Sequence, residues 1–326
     1  MTISVIICSH NPRADYLGRA LDCLKAQTVS KEEWELLLVD NCSERRLADV
    51  WDLSWHPQHA HIREDDLGLT AARLRGIREA RGELLLFVDD DNLLAPDYLD
   101  RAAALARTYP SLGVFGAGVL EPEFEVPPPR QLAPQLPLLA LRTVSSGLWT
   151  NDPADSGCVP WGAGLCVTRP VAAAYRQSVE RLKIGHLLDR RGDRQFRGGD
   201  DLFSWVAARM GRGFGIFPEL RVTHLIRADR LTQSFFLRLF HDRAYSHGLL
   251  QYLLLGKAPR PLDLAQTLWI ALHGIRRGRF SMRCQWASAR GASRAARLIS
   301  AEALNVLDGP LTEASRPPAG LRELNP

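Results

Sequence analysis

Short apolar runs alternate with helical patterns along the first 118 residues, and this alternation restricts the folds open to the chain. The runs have the length and the apolar, β-branched content of buried parallel strands. Between them, apolar or small residues recur every three or four positions, as in amphipathic helices. Such an order predicts an α/β fold with a doubly wound, mostly parallel sheet and flanking helices. The predicted strands are residues 3–8, 34–39, 61–63, 83–88 and 112–118, and the predicted helices are 17–24, 70–81 and the segment after Pro96.

Two residues are expected to mark the ends of these helices. Two longer segments of the chain show a different pattern. Gly82 suits the C-terminal cap of the helix over 70–81, and Pro96 suits the first turn of the next helix. The proline-rich residues 121–160 predict an extended loop over the sheet. The chain beyond Asp229 is expected to be wholly helical.

The bulk composition is that of a globular protein with a large core. The chain has 326 residues, of which 46% are hydrophobic and 24% charged, and a formal net charge of +4. That charge is too small to argue for nucleic acid, which is not expected as a partner. The six cysteines are scattered, so a zinc site is not expected. Because the chain enters a strand at once and has no long apolar stretch, we expect a cytoplasmic protein without a signal peptide or a spanning helix.

Polar residues follow several of the predicted strands. Ser9, His10 and Asn11 follow the first strand, Asp40 follows the second, and three aspartates at 89–91 follow the fourth. Ligands of doubly wound sheets bind beyond the carboxyl ends of the strands. These side chains are therefore expected to converge at one edge of the sheet.

The run "LLLFVDDDN" at residues 84–92 places three carboxylates side by side at the end of a strand. Their mutual repulsion costs free energy unless a positive charge is present, and oxygen ligands suit magnesium or manganese. Two other interpretations remain open. The run could form a solvated turn, or belong to an acid-phosphatase-like D-x-D-x-T pattern, although Leu93 stands where that pattern has threonine.

Several separated motifs together resemble the family 2 glycosyltransferases of the GT-A fold. They are "TISVIICSHN", "ELLLVDNCS", "EDDLGLTAARLRGIREARGELLLFVDDDN", "WGAGLCVTR" and "GGDDLFSWVAARMGRGFGIFPELRVTH", spread over about residues 2–226. The resemblance implies a GT-A catalytic domain over 1–228, divided into a nucleotide-binding half (1–118) and an acceptor-side half (119–228). It also implies inverting transfer of a sugar from a UDP- or dTDP-type nucleotide sugar to the hydroxyl of a sugar, glycan or lipid-linked acceptor.

The resemblance implies roles for the residues at the strand ends. Asp40 would accept the imide N–H of the base, which suits an acceptor-only carboxylate, although it could instead belong to a turn. Arg73 would lie near the diphosphate. The residues implied in donor binding are Ser9, His10, Asn11, Asp40, Asp66, Arg73, Asp89 and Asp90. The family often has tyrosine at position 10 and asparagine at positions 66 and 74, where this chain has histidine, aspartate and leucine.

Metal binding and catalysis are implied for a further set of acids. Asp91 and Asp89 form the D-x-D pair that would hold Mn²⁺ or Mg²⁺, with His224 as a further ligand or a phosphate contact. Either Asp89 or Asp90 would contact the ribose. Alone, Asp200 and Asp201 suit a helix N-terminus. The resemblance makes Asp201 the base that deprotonates the acceptor, kept ionised by that N-terminus, and places Asp200 where the family usually has glutamate.

The stretch Trp161, Gly162, Ala163 and Gly164 is expected on the acceptor side. Glycines let the backbone approach a sugar closely, and a tryptophan ring can stack on one. A packing turn is the alternative.

The C-terminal extension, residues 229–326, is basic. No acidic residue lies between Asp263 and Glu302, whereas arginine occupies seven positions: 276, 277, 279, 283, 290, 294 and 297. With the aromatic residues among them, this pattern suits an anionic membrane surface and a peripheral location at the inner face of the membrane. A helical cap on the catalytic domain explains the same pattern without a membrane.

Other classes of protein fit less well. A dinucleotide-dependent dehydrogenase would have G-x-G-x-x-G after the first strand, where "SHNPRAD" stands instead. A sugar nucleotidyltransferase would have a glycine-rich, lysine-bearing loop there. A nucleotide-sugar binder without turnover and a membrane adaptor acting through the tail remain the alternatives to an enzyme.

Overall fold

The computed structural model describes residues 1–153, 155, 157–182, 190–191, 194–195, 198–260, 262–302 and 322–323. In chain order the strands are β1 Ile3–Ser9, β2 Trp34–Asn41, β3 His59–Glu64, β4 Leu84–Val88, β5 Asn92–Leu94, β6 Leu112–Phe124, β7 Arg142–Thr143, β8 Leu148–Thr150, β9 Leu165–Thr168, β10 Arg190–Arg191, β11 Arg194–Gln195, β12 Gly213–Ile226 and β13 Arg322–Glu323. The helices are α1 Ala14–Lys25, α2 Leu69–Glu79, α3 Tyr98–Thr108, α4 Arg169–Leu182, α5 Gly199–Arg209, α6 Gln233–Leu255, α7 Leu264–Arg277 and α8 Arg279–Glu302.

The main sheet has the strand order β13-β8-β12-β6-β9-β4-β1-β2-β3, with β5 paired to β12 and β7 to β6. Strands β3, β2, β1 and β4 run parallel to one another, and β6 runs parallel to β12. Strand β9 lies between β4 and β6 and is antiparallel to both, so the group β3, β2, β1 and β4 points the same way as the pair β6 and β12. The prediction of a mostly parallel α/β sheet is confirmed.

The alternation of side chains along each strand divides the core between the two faces of the sheet. In β1, Ile3, Val5 and Ile7 pack on one face with α1 and α3. Ile6 packs on the other face with α2, α4 and α5. A strand buried on both faces reads as a continuous apolar run because successive side chains point to opposite sides.

Helices α6 and α8 share the core of the sheet domain. Leu249 and Leu253 of α6 and Ala295 of α8 belong to the same buried cluster as residues of α2, α4 and α5. The predicted domain boundary at residue 228 stays a prediction, and residues 303–321 and 324–326 of the predicted extension lie outside the described part of the chain. Within that part, no helix combines the length and apolar content needed to cross a bilayer.

Three local predictions were wrong. Helix α2 ends at Glu79 with Ala80 as its cap, so Gly82 is not the cap. Pro96 precedes α3, whose cap is Asp97. The tail is not wholly helical, because the short strand β13 pairs with β8.

The segment predicted as an extended loop over 121–160 has more structure than expected. Strand β6 continues to Phe124, a 3-10 helical segment covers Arg130–Leu139, and β7 and β8 follow. Prolines break the hydrogen-bonding pattern of an α-helix but tolerate the short 3-10 turns seen here. The end of the 3-10 segment, residues 137–140, lines the cavity of the candidate site.

Gly82 is needed for close packing between β1 and the start of β4. Its N–H donates to the Ser4 hydroxyl, 2.7 Å away, which in turn donates to Glu35 Oε1 at 2.6 Å. A Cβ at position 82 would lie 2.6 Å from the Ser4 backbone nitrogen. Backbone atoms cannot move away from such a contact without distorting the sheet.

Gly82→Ala is therefore expected to lower the free energy of unfolding by about 1–3 kcal/mol, the usual cost of overpacking. Gly18→Ala is the matched control. Gly18 lies inside α1, where an added Cβ would meet only Trp51 at 3.5 Å, so alanine should stabilise the protein by about 0.5–1 kcal/mol. Urea unfolding of both variants measures the difference. Equal effects would contradict the packing role of Gly82.

Candidate functional site

A cavity of about 500 Å³ opens at the carboxyl ends of the parallel strands. Most of the residues predicted from the sequence line it. They are Ser9, His10, Arg73, Asp89, Asp90, Asp91, Trp161, Gly162, Ala163, Asp200, Asp201 and His224. The parallel register brings these side chains together, since Ser9 pairs with Asp40 of β2 and Ile7 pairs with Val88, the last residue of β4.

The crowding of carboxylates after β4 is visible at Asp90. Its carboxylate accepts a hydrogen bond from the Ser9 hydroxyl. Burial, with a smaller contribution from the charges of Asp91 and Asp89, raises the pKa of Asp90 to about 6, although the hydrogen bond from Ser9 lowers it. Asp90 therefore carries the repulsion expected of three adjacent acids, which a cation in the cavity would relieve.

Asp91 and His224 face each other across the pairing of β5 with β12. His224 pairs with Asn92 in that register, and its Nε2 lies 3.5 Å from Asp91 Oδ2. His224 Nδ1 lies 3.0 Å from the carbonyl oxygen of Leu139. Because a carbonyl only accepts, we assign the proton to Nδ1. This leaves the Nε2 lone pair facing Asp91, as in a metal-binding histidine.

Arg230 completes this group and was missed from the sequence. Its guanidinium contacts Asp91 Oδ2 through Nη2 at 3.0 Å and His224 Nε2 through Nη1 at 3.2 Å. It sits in a single 3-10 turn just after β12. No periodicity or motif marks it, and its position just after the last core strand is the one signal that could have drawn attention to it.

The Asp91–His224 pair fits a divalent cation in part. A carboxylate oxygen and an imidazole nitrogen are suitable ligands for Mn²⁺. The described residues contain no cluster of three metal-binding side chains. A cation here would therefore need further oxygen ligands, which the two phosphates of a nucleotide sugar can supply.

Asp200 joins Arg73 to the Trp161–Gly164 stretch. Its Oδ1 accepts from Arg73 Nη1 at 2.8 Å, and its Oδ2 accepts from the Gly162 N–H at 2.9 Å. Arg73 is buried, and a Cβ at position 162 would lie 2.7 Å from its Nη2. A side chain at position 162 would therefore collide with the guanidinium of Arg73, and glycine avoids this collision. Asp200 positions both groups with both of its oxygens.

Asp201 stands in the first turn of α5 and opens into the cavity. Desolvation by the surrounding protein, together with the neighbouring charge of Asp200, raises the pKa of Asp201 to about 6, although the charge of Arg243 of α6 lowers it. The expectation that the helix N-terminus would hold Asp201 ionised understated these effects. With a pKa near 6, Asp201 is mostly ionised at neutral pH and can accept a proton.

Four predicted residues do not line the cavity: Asn11, Asp40, Asp66 and Gly164. Asp40 is buried, and its oxygens accept from the Ser43 and Leu47 N–H groups and from Arg63. Burial alone would raise its pKa, but these hydrogen bonds lower it. In this structure Asp40 thus organises the turn that follows β2.

The other three lie in the loops around the cavity. Asn11 accepts from the Glu44 N–H at 2.9 Å. The carbonyl of Gly164 accepts from the Tyr98 hydroxyl at 2.6 Å. The Asp66 carbonyl accepts from the side chain of Asn41 at 2.8 Å. Asn41 itself lines the cavity and was missed, although it directly follows Asp40 in the sequence.

The wall of the cavity around Trp161 is more apolar than the sequence suggested. The guanidinium of Arg142 lies 3.4 Å from the ring centre of Trp161, so one face of this ring is already covered. The wall formed by the 3-10 segment and α6 adds four apolar side chains that sequence reasoning missed. They are Leu138, Leu139, Phe235 and Leu239. They come from segments far apart in the chain, so no local pattern connects them.

Comparisons with known proteins agree with this geometry. The sequence model of the family described as "Glycosyl transferase family 2" matches residues 4–157. Poly(ribitol-phosphate) beta-N-acetylglucosaminyltransferase TarS of Staphylococcus aureus is 27% identical over 154 residues, which are 44% of this chain and 26% of TarS. Validoxylamine A glucosyltransferase of Streptomyces hygroscopicus subsp. jinggangensis is 31% identical over 158 residues, 46% of this chain and 37% of that protein. The chain thus spans about a third of the length of these curated relatives.

A solved structure is similar over nearly the whole chain. The mannosyltransferase PcManGT of Pyrobaculum calidifontis, in complex with GDP-Man and Mn²⁺, has a TM-score of 0.54 and covers 91% of this chain and 86% of its own. At 18% identity this similarity shows the fold alone, and the fold is GT-A. Residues 4–157 of the chain therefore match the family 2 glycosyltransferase model, and the chain has a GT-A fold.

Proposed function

We propose that the protein is a metal-dependent, inverting glycosyltransferase that moves a sugar from a nucleoside diphosphate to an acceptor hydroxyl. The observation that carries the proposal is that one cavity is lined both by Asp91 and His224, whose facing oxygen and nitrogen suit a cation, and by a separate carboxylate, Asp201, which suits a base. Inverting transfer needs these two functions on opposite sides of the anomeric carbon.

The donor we propose is a UDP- or dTDP-type nucleotide sugar. Its base and ribose would lie against Ser9, His10 and Asn41, and its phosphates near Arg73 and the start of α2, where backbone N–H groups favour anions. Asp40 remains the candidate for the imide of the base, with Asn11 and Asp66 in the loops beside it. Asp89 or Asp90 would hold the ribose. A bound Mn²⁺ or Mg²⁺ would neutralise charge on the leaving diphosphate.

Asp201 would take the proton of the acceptor hydroxyl. The oxygen would then form its bond to the anomeric carbon from the face opposite the diphosphate, and the bond to the diphosphate would break with inversion. Asp200 has a different role in this scheme, because its two oxygens hold Arg73 and Gly162 in position. It acts as a positioning residue.

The acceptor would bind between Trp161 and the apolar wall. The part of Trp161 that lines the cavity suits contact with a sugar, and the side chains of Leu138 and Phe235 suit an apolar part of the same molecule. We therefore propose a sugar, a glycan or a lipid-linked glycan as acceptor. Bacterial polysaccharide or glycoconjugate synthesis in the cytoplasm, at the inner face of the membrane, would use such a reaction.

Asp201→Asn should lower the release of nucleoside diphosphate by about 10²–10⁴-fold, the usual contribution of a general base. Donor affinity, measured by calorimetry, should stay near the wild-type value, because the amide keeps the shape of the side chain. A thermal-shift screen of nucleotide sugars with Mn²⁺ would first identify the donor, since binding to the folded state raises stability. Asp100→Asn, an exposed acid on α3, is the control. A wild-type rate in Asp201→Asn would remove it as the base.

The rate should fall as the pH drops through about 6, because protonated Asp201 cannot act as a base. Its folded-state pKa is raised, so the active carboxylate is lost at a higher pH than for an ordinary aspartate. Arg243→Gln removes a charge that lowers this pKa and should move the acidic limb of the kcat profile to higher pH. Arg238→Gln, an exposed arginine of the same helix, should leave it in place. The same limb in all three proteins would show that another group titrates.

Arg230→Gln should bind Mn²⁺ about tenfold more tightly in the absence of nucleotide. The guanidinium contacts the same two atoms, Asp91 Oδ2 and His224 Nε2, that a cation would use, and a charged hydrogen bond of this kind is worth about 1.5–3 kcal/mol. The resonance of free Mn²⁺ in an EPR titration measures the change. Arg227→Gln, which removes an exposed partner of Asp229, is the control. Unchanged or weaker Mn²⁺ binding in Arg230→Gln would show that the arginine and the cation do not compete.

A further inference from the structure

Helices α7 and α8 expose a set of side chains of unusual composition, which together we call the α7–α8 surface. It consists of the exposed residues Leu264, Leu268, Trp269 and Leu272 of α7 and Arg279, Arg283, Arg290 and Arg297 of α8. Gly278 alone separates the two helices, and they pack against each other. The surface is therefore built from one helical hairpin.

The apolar part faces outward from the protein. Leu264, Leu268 and Leu272 are 82%, 63% and 64% exposed, and Trp269 is 51% exposed. Every other exposed large apolar residue in the described ranges lies between 40% and 42%. The three leucines are spaced by four residues, so they form one stripe, and Ile270 on the opposite side is buried. An exposed apolar stripe of this kind marks an interaction site.

The basic part runs along α8. Positions 279, 283, 290 and 297 are separated by four or seven residues, which places all four arginines on one side of the helix. At 1.5 Å per residue the stripe is about 27 Å long. Arg294, four residues after Arg290, lies at the edge of this side, where its guanidinium stands over the Tyr245 ring of α6 at 5.1 Å. The sequence has no acidic residue between Asp263 and Glu302 to offset these charges.

We propose that the α7–α8 surface docks onto an anionic lipid bilayer, with the leucine stripe and Trp269 at the level of the head groups and the arginines against the lipid phosphates. A bilayer satisfies both halves of the surface, because it offers an apolar interior beneath a layer of negative charge. A second copy of the chain would cover the leucines but bring two sets of arginines together. A nucleic acid would neutralise the arginines but leave the leucines in water.

This inference goes beyond the expectation of a basic tail near a membrane, since it assigns the contact to particular faces of two helices. It does not rest on the transferase proposal. Loss of transfer in Asp201→Asn would leave it untouched, and loss of membrane binding would leave the donor site untouched. The two proposals therefore fail separately.

Vesicle flotation of the full chain tests the proposal. We expect the wild-type protein to float with vesicles of equal parts phosphatidylglycerol and phosphatidylcholine, and to float poorly with phosphatidylcholine alone. Arg283→Gln, Arg290→Gln and Arg297→Gln combined should weaken binding by about 10²-fold, from roughly fivefold for each charge near the lipid. Leu268→Ser with Leu272→Ser should weaken it at both low and high salt, because the apolar contribution is not screened.

Matched variants separate this surface from general charge and hydrophobicity. Arg45→Gln, Arg46→Gln and Arg107→Gln combined remove the same number of exposed arginines elsewhere, and Val126→Ser with Met210→Ser removes two exposed apolar side chains. Both should float like the wild type, and thermal unfolding of every variant checks the fold.

Three outcomes would overturn the proposal. They are wild-type protein that stays at the bottom with anionic vesicles, control variants that lose as much binding as the surface variants, and a dimer in sedimentation velocity that the leucine variant dissociates. The protein could also bind RNA tightly, and lipid vesicles could displace that RNA. Such competition would not support the membrane proposal if the leucine variant binds vesicles normally.

Discussion

The crowding of negative charge at the end of β4 is the constraint on which the site depends. Strand β4 runs parallel to β1, which runs parallel to β2, and the three strands end at the same edge of the sheet. This register places Asp89, Asp90 and Asp91 at the mouth of one cavity. The protein meets the resulting repulsion in different ways. Asp90 has a raised pKa, and Asp91 has Arg230 and His224 as partners. The cavity is thus prepared for positive charge before any ligand enters.

A second junction holds the two halves of the site in a fixed relation. Asp200 at the start of α5 contacts Arg73 from α2 and the backbone of Gly162, so three distant segments meet at one carboxylate. The next residue, Asp201, is left open to the cavity. Two adjacent acids of the same type therefore have different surroundings and can have different roles, because one is fully hydrogen-bonded and the other is not.

Much of the fold follows from periodicity, but part of the site does not. The apolar runs correctly indicated β1 to β4, and the rule that ligands bind at the carboxyl ends of strands brought Ser9 and the three aspartates to one cavity. Asp201, at the start of a helix, was assigned to the site only by the family resemblance. Arg230, Asn41 and the apolar wall were missed because their roles arise from tertiary contacts between segments without a repeating pattern. Gly82 shows the opposite error, since its local pattern suggested a helix cap whereas its close contact is with the Ser4 backbone of β1.

The hydrogen bond between His224 and Leu139 links two requirements that act on one position. The imidazole needs an acceptor at its Nδ1, and the backbone carbonyl of residue 139 supplies it, whereas the side chain of Leu139 is buried and lines the apolar wall. Any amino acid at 139 retains the carbonyl, so evolution can change the acceptor-side wall here by point substitution without altering the histidine. A change in length of the 3-10 segment, in contrast, would shift that carbonyl. The contact with His224 therefore constrains the length of this segment but not the type of amino acid at position 139.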